Sequence, residues 1–237
     1  MRVLITGASS GIGKQIAEDY AADGWEVIAC GRNAERLSNP QFAQTLCFDT
    51  GSLPETKAAA ESLLQGVDVL ILNAGTCEYI DDPMQFDATL FTRVFDSNVI
   101  GTAHCLEAFL PKLNNKAKVA FTGSASTLLP FSRAEAYGAS KAAIAYLANS
   151  LRVDLASKNI SVSLIQPGFV ETPMTAKNTF PMPGMISPEH ASKAIRRGID
   201  KRKSTITTPW LFNCILGSIG RLPHPIPHII ATRLKNS

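Results

Sequence analysis

Short apolar, β-branched runs alternate along the chain with longer stretches in which apolar residues recur every three or four positions. The runs 3–6, 26–30, 46–48, Val67–Leu72, 119–122 and 160–165 read as strands, and the stretches 12–22, 54–64, 87–110 and 139–157 as helices. The run Val67-Asp68-Val69-Leu70-Ile71-Leu72 is apolar at almost every position, as expected of a parallel strand covered by helices on both faces. In the 139–157 helix, Ile144, Leu147, Leu151 and Leu155 form one apolar stripe. Ala142, Tyr146 and Val153 line another side, so this helix is expected to pack on the sheet and also on a second subunit. Strands alternating with helices predict a doubly wound parallel sheet.

That pattern is the Rossmann architecture, and 237 residues with 45% hydrophobic content suffice for one such domain with a sizeable core. We expect 1–200 to form the nucleotide-binding domain with the catalytic residues, and 201–237 to extend it with a last strand, an amphipathic helix and a tail. A net charge of +3 is too mild to call for a nucleic-acid partner. Five cysteines without CxxC spacing fit a reducing compartment, with the thiols serving as small buried apolar residues. The opening run is too short for a signal-peptide core, which predicts a cytoplasmic protein. Stretch 210–230 is broken by Arg221, Pro223, Pro225 and Pro227, so it is not expected to span a membrane.

Directly after the first strand comes Thr6-Gly7-Ala8-Ser9-Ser10-Gly11-Ile12-Gly13, opening a helix. Glycines there permit a tight turn and close approach to a pyrophosphate, which sits against the positive helix end. The second strand ends in Cys30-Gly31-Arg32-Asn33, without the carboxylate that would bind the ribose 2′-hydroxyl of NAD. Arg32 is positioned instead to pair with a 2′-phosphate, so NADP(H) is the expected cofactor.

Tyr137 and Lys141 stand four apart at a helix start, so both project from one face. A cation beside a phenol favours the phenolate, one of the few ways to make a tyrosine useful as an acid or base near neutrality.

These motifs occur together with Asp49 after strand three, Asn73-Ala74-Gly75 after strand four, Asn98 in the long helix, Ser124 after strand five, Tyr137-Gly138-Ala139-Ser140-Lys141 and Pro167-Gly168-Phe169-Val170-Glu171-Thr172. Over its first 200 or so residues the chain thereby resembles the compact, single-domain branch of the short-chain dehydrogenase/reductase family. Ser124 lies thirteen residues before Tyr137, as in that family, where its hydroxyl would hydrogen-bond the substrate oxygen. The resemblance further implies that Lys141 holds the nicotinamide ribose hydroxyls and that Asn98 holds a water of a proton relay. It implies that Asp49 bonds the adenine amino group, that Asn73, Ala74 and Gly75 flank the adenosine ribose, and that Pro167 to Thr172 meets the carboxamide through the Val170 backbone and Thr172. Ser9, Ser10 and Ile12 complete the expected phosphate turn.

The proline-rich stretch 172–187 reads as a mobile, apolar lid, with Leu128, Phe131, Phe180, Met182 and Met185 as pocket candidates for a substrate with a hydrophobic body. Beyond residue 200 the resemblance thins. The basic run 196–203 followed by a Trp-bearing helix fits attachment to a membrane surface. The helix's polar face is poor in Lys and Arg, however, so a cover over the pocket or a subunit interface is the preferred expectation. His224 and His228 are separated by Pro225, Ile226 and Pro227, which argues against a helix there, and no metal site is expected.

The sequence therefore predicts an NADP(H)-dependent oxidoreductase acting on a small-molecule carbonyl or alcohol, assembled as a homodimer or homotetramer. Two alternatives are a non-catalytic NADP(H)-binding regulator and a membrane-surface-associated reductase. A sugar-nucleotide epimerase would be expected to have a different glycine spacing and a larger substrate domain than the chain has room for.

Overall fold

A computed structural model describes residues 1–235. In chain order its elements are β1 (Arg2–Thr6), α1 (Gly11–Ala22), β2 (Glu26–Gly31), α2 (Ala34–Leu37), β3 (Gln44–Cys47), α3 (Leu53–Glu61), β4 (Val67–Leu72), α4 (Ala88–Phe95) and α5 (Gly101–Phe109). There follow β5 (Leu113–Thr122), α6 (Glu135–Ala156), β6 (Ser161–Pro167), α7 (Pro188–Asp200), β7 (Thr205–Thr208), α8 (Trp210–Gly220) and α9 (Ile226–Lys235). All seven strands are parallel, in the order β3-β2-β1-β4-β5-β6-β7.

Alternation along each strand divides the core between the two faces of the sheet. Val3, Ile5, Val69, Ile71, Ala120 and Ile165 pack with Ile16, Ala17 and Tyr20 of α1 and Ala191, Ile195 and Ile199 of α7. Their neighbours Leu4, Leu70, Leu72, Val119, Phe121 and Leu164 pack on the other face with Ala60, Cys105, Phe109, Ile144 and Ala148. This two-sided burial is the physical reason β4 is apolar at almost every position. A third, smaller cluster joins Ala125, Leu128, Leu129 and Phe131 to Phe212, Leu216 and Ile219 of α8.

Several expectations are corrected. The single helix expected over 87–110 is two helices joined by a π-helical turn, Asp96–Ile100, whose extra residue turns Asn98 inward to burial. β5 begins six residues earlier than the apolar run at 119, because its first part is a solvated extension with Asn114, Asn115 and Lys116 exposed. A helix does form after Pro225. Its prolines fall at or before the first turn, where no backbone donor is lost, and the His224 and His228 rings approach to 4.4 Å between centroids. Of the five cysteines only Cys30 and Cys105 are buried; Cys47 and Cys214 are exposed and Cys77 is half-buried. On α6, Tyr146 and Val153 face outward, 80% and 76% exposed. Among the described residues no helix is long and apolar enough to cross a membrane.

Candidate active site

Chain order reverses between β1 and β4, and at this point of a doubly wound sheet a crevice opens beyond the carboxyl ends of the strands. A cavity of about 510 Å³ occupies it. It is lined by Gly7, Ser9, Ser10, Gly11, Ile12, Arg32, Asp49, Asn73, Ala74, Gly75, Ser124, Tyr137, Lys141, Pro167, Gly168, Val170 and Thr172. Of the predicted catalytic and cofactor-binding residues, only Gly13 and Asn98 lie outside the lining.

The turn after β1 is shaped by contacts that leave no room for side chains. Gly7 has φ +69° and lies so close to Ala74 that a Cβ would fall 2.9 Å from its Cα. A Cβ at Gly13 would lie 2.4 Å from the Gly7 carbonyl oxygen and equally close to Asn73, so Gly13 serves the packing of helix on turn. Thr6 pins the turn to the strand-four loop, its hydroxyl accepting from the backbone N–H groups of Asn73 and Ala74, both at 3.0 Å. Ser10 at the N-cap of α1 is extended and makes no side-chain capping bond. The first-turn N–H groups are thus left for an anion, an arrangement that fits the pyrophosphate of a dinucleotide.

At the far side of the crevice, Arg32 is exposed at the end of β2 and makes no ion pair among the described residues. Asp49 is also exposed. Its Oδ1 accepts from Gly51 N at 2.9 Å, while its own backbone N–H donates to Glu55.

The opposite wall carries the reactive groups. α6 starts at Glu135, so Tyr137 and Lys141 occupy its first two turns. The Lys141 Nζ lies 5.8 Å from the Tyr137 ring centroid and donates to the Thr122 carbonyl at 2.8 Å. Ser124 follows β5; its Oγ accepts from Ser126 N at 3.1 Å. Asn98 sits behind this wall. Its Nδ2 donates to Thr76 O and to Ser140 Oγ, each at 2.9 Å, and its Oδ1 accepts from Thr76 N at 2.7 Å. Ser140 in turn donates to the Tyr137 carbonyl at 2.7 Å.

The electrostatics of this wall differ from the simple expectation of a phenol softened by its lysine. Burial, with Cys77 nearby, pushes the Tyr137 hydroxyl up to about 12, and the Ser124 hydroxyl pulls only weakly the other way. Burial also pulls Lys141 down to about 8, with Cys77 acting in the other direction. Cys77 itself is held above the ordinary thiol range by burial.

The stretch 172–187, expected to be a mobile lid, is held at two points. Its base is a bridge between Val170 and Ile186, and its tip is held by the Tyr79 hydroxyl, which donates to Asn178 at 2.9 Å. Phe180 packs edge-on against Tyr79 and also on Phe169. The five expected pocket residues do not line the cavity. Leu128 and Phe131 turn away to pack on α8, Phe180 stacks within the lid, and the lid reaches the cavity through Thr172, Pro173, Met174 and Thr175. Thr6 and Tyr79 were not singled out in the sequence. A polar residue ending an otherwise apolar strand signals the first, whereas nothing local to the Cys77-Glu78-Tyr79 stretch signals the second.

Comparison with known proteins agrees with this fold. The family model for short chain dehydrogenases matches residues 1–181. An uncharacterized oxidoreductase of Myxococcus xanthus is 31% identical over 98% of this chain and 96% of its own. Serine 3-dehydrogenase of Agrobacterium fabrum is 32% identical over 75% of each chain. A crystal structure of a short-chain dehydrogenase from Streptomyces avermitilis superposes with a TM-score of 0.81 at 25% identity, covering 99% of this chain and 93% of that one.

Proposed function

The chain belongs to the short-chain dehydrogenase/reductase family of oxidoreductases acting on alcohol and carbonyl groups, and from that premise we propose that it is an NADP(H)-dependent reductase with Tyr137 as general acid/base. The observation that carries the proposal is the convergence of Ser124, Tyr137 and Lys141 on one wall of a cavity whose other wall is the glycine turn. The 2′-phosphate preference rests on Arg32 at the end of β2, where no carboxylate stands.

A nicotinamide cofactor bound in this crevice supplies the hydride. Tyr137 delivers a proton to the substrate oxygen as negative charge grows there, and the Ser124 hydroxyl donates a hydrogen bond to the same oxygen. A phenol held near 12 is a proton donor at neutrality, which suits the reductive direction. Lys141, at about 8, exchanges its proton near physiological pH and can refill the phenolate, which its charge also stabilises. Asn98, bonded to Thr76 and Ser140, positions this wall and holds the relay water. Asp49 binds the adenine end; Asn73, Ala74 and Gly75 bind the ribose; and Val170 and Thr172 bind the carboxamide end. The outward apolar side of α6 at Tyr146 and Val153 supports a homo-oligomer, and the substrate is a small carbonyl or alcohol compound.

The test is NADPH and NADH oxidation against aldehydes and ketones graded from small and polar to large and apolar. Turnover is expected with NADPH, and Tyr137→Phe is expected to lower kcat by roughly 10²-fold or more with little change in cofactor KM. Undiminished turnover in that variant would refute Tyr137 as the acid.

A further inference from the structure

Outside the cavity, the outer side of α8 and α9 carries a run of exposed apolar side chains. The inner side of α8 buries Asn213, Leu216 and Gly217, with Leu216 in the cluster that joins α8 to the segment after Ser124. Its outer side shows Trp210, Leu211, Cys214, Ile215 and Ser218, spaced i, i+1, i+4, i+5 and i+8 along one helical face. Trp210 is 67% exposed, Leu211 55% and Ile215 51%. Leu222, Ile226 and Ile229 continue the exposed apolar side into α9, which packs beside α8. A helix resting in water places charges on its outer face, but α8 contains no charged residue at all.

The charges that this segment itself carries are of one sign. From residue 201 to the end the sequence contains no Asp or Glu, and Arg221 and Arg233 are exposed beside the apolar side chains. The basic run 196–203 is a separate feature at the opposite end of β7, where Arg196 pairs with Asp19 and Asp23.

We propose that the α8–α9 face docks on an anionic lipid bilayer. Its apolar side chains enter the boundary between headgroups and acyl chains, Trp210 sits at headgroup level, and Arg221 and Arg233 meet lipid phosphates. A second copy of this chain fits less well. Two-fold pairing through the face would bring like cations together with no carboxylate of the same segment to balance them, whereas lipid phosphates balance them directly. On its inner side α8 adjoins the lid, since Phe212 packs on Phe169 and a Cβ at Gly184 would touch Phe212. The docking does not depend on the hydride-transfer reading.

The test uses the full chain and vesicles of phosphatidylcholine alone or with about 30 mol% phosphatidylglycerol. Trp25 and Trp210 are the only tryptophans, so a Trp25→Phe background makes Trp210 the reporter. The protein is expected to pellet with the anionic vesicles about ten-fold more strongly than with the neutral ones, less so as salt rises, and Trp210 emission should move to shorter wavelength. Leu211→Ser combined with Ile215→Ser alters two exposed positions and is expected to keep the melting temperature while weakening vesicle binding about ten-fold or more. No pelleting with either vesicle, or pelleting that the double variant leaves unchanged, overturns the proposal. A dimer that the double variant dissociates, with no vesicle binding, assigns the face to a second copy and overturns it equally.

Discussion

Replacing Asn98 with alanine tests whether the wall that carries Tyr137 is held by one buried side chain. The substitution deletes three hydrogen bonds: Thr76 N to Oδ1 at 2.7 Å, and Nδ2 to Thr76 O and to Ser140 Oγ at 2.9 Å each. At about 1 kcal/mol net per bond the loss is roughly 3 kcal/mol. Thr76 is only half-buried, so water recovers part of its loss, which brings the expected cost to about 2–3 kcal/mol. For a chain of this size that lowers Tm by roughly 4–12 °C. Thermal unfolding followed by circular dichroism measures it. Ser140 bonds the Tyr137 carbonyl, so kcat should fall together with stability in the alanine variant. A Tm within about 2 °C of the unaltered protein would refute the argument, since these three bonds could not then be supporting the wall.

Two further outcomes follow from the same geometry. Arg32→Ala should raise the KM for NADPH by roughly 10-fold or more, the worth of a charge-assisted contact to a 2′-phosphate at an exposed position, and leave the KM for NADH unchanged; equal effects on both cofactors in steady-state kinetics would show that Arg32 does not read the phosphate. Lys141 binds its proton less tightly folded than unfolded, so the unfolded chain takes up more protons between about pH 8 and the ordinary lysine range. Its buried charge therefore costs stability at and below pH 8, and that cost is relieved as pH rises above it. Urea midpoints should show the unaltered protein gaining on Lys141→Met between pH 7 and 9.5, and a constant difference would count against the buried, charged lysine.

Much of the cavity's lining was legible because it is written in local rules. Glycines at 7 and 11 stand where φ is positive, a strand end lacks a carboxylate at Arg32, and Tyr137 and Lys141 share a helix face through their spacing alone. The pocket residues were misread for the opposite reason. Leu128 and Phe131 have the apolar character of a substrate wall, but an apolar side chain goes to whichever apolar surface lies nearest in space, and α8, some eighty residues away in sequence, supplies it. Tyr79 was invisible on the same account, because its partner Asn178 is 99 residues distant.

The sequence by itself determined the alternation of strands and helices, the phosphate turn and the pairing of tyrosine with lysine, since each depends on residues within a few positions of one another. Only the tertiary structure decided the rest. It placed a π-helical turn at Asn98, let burial raise the proton affinity of Tyr137, and left the outer face of α8 and α9 uncovered. Desolvation and the choice of packing partner are properties of the whole fold, set by what surrounds a side chain in space, and periodicity along the chain carries no record of them.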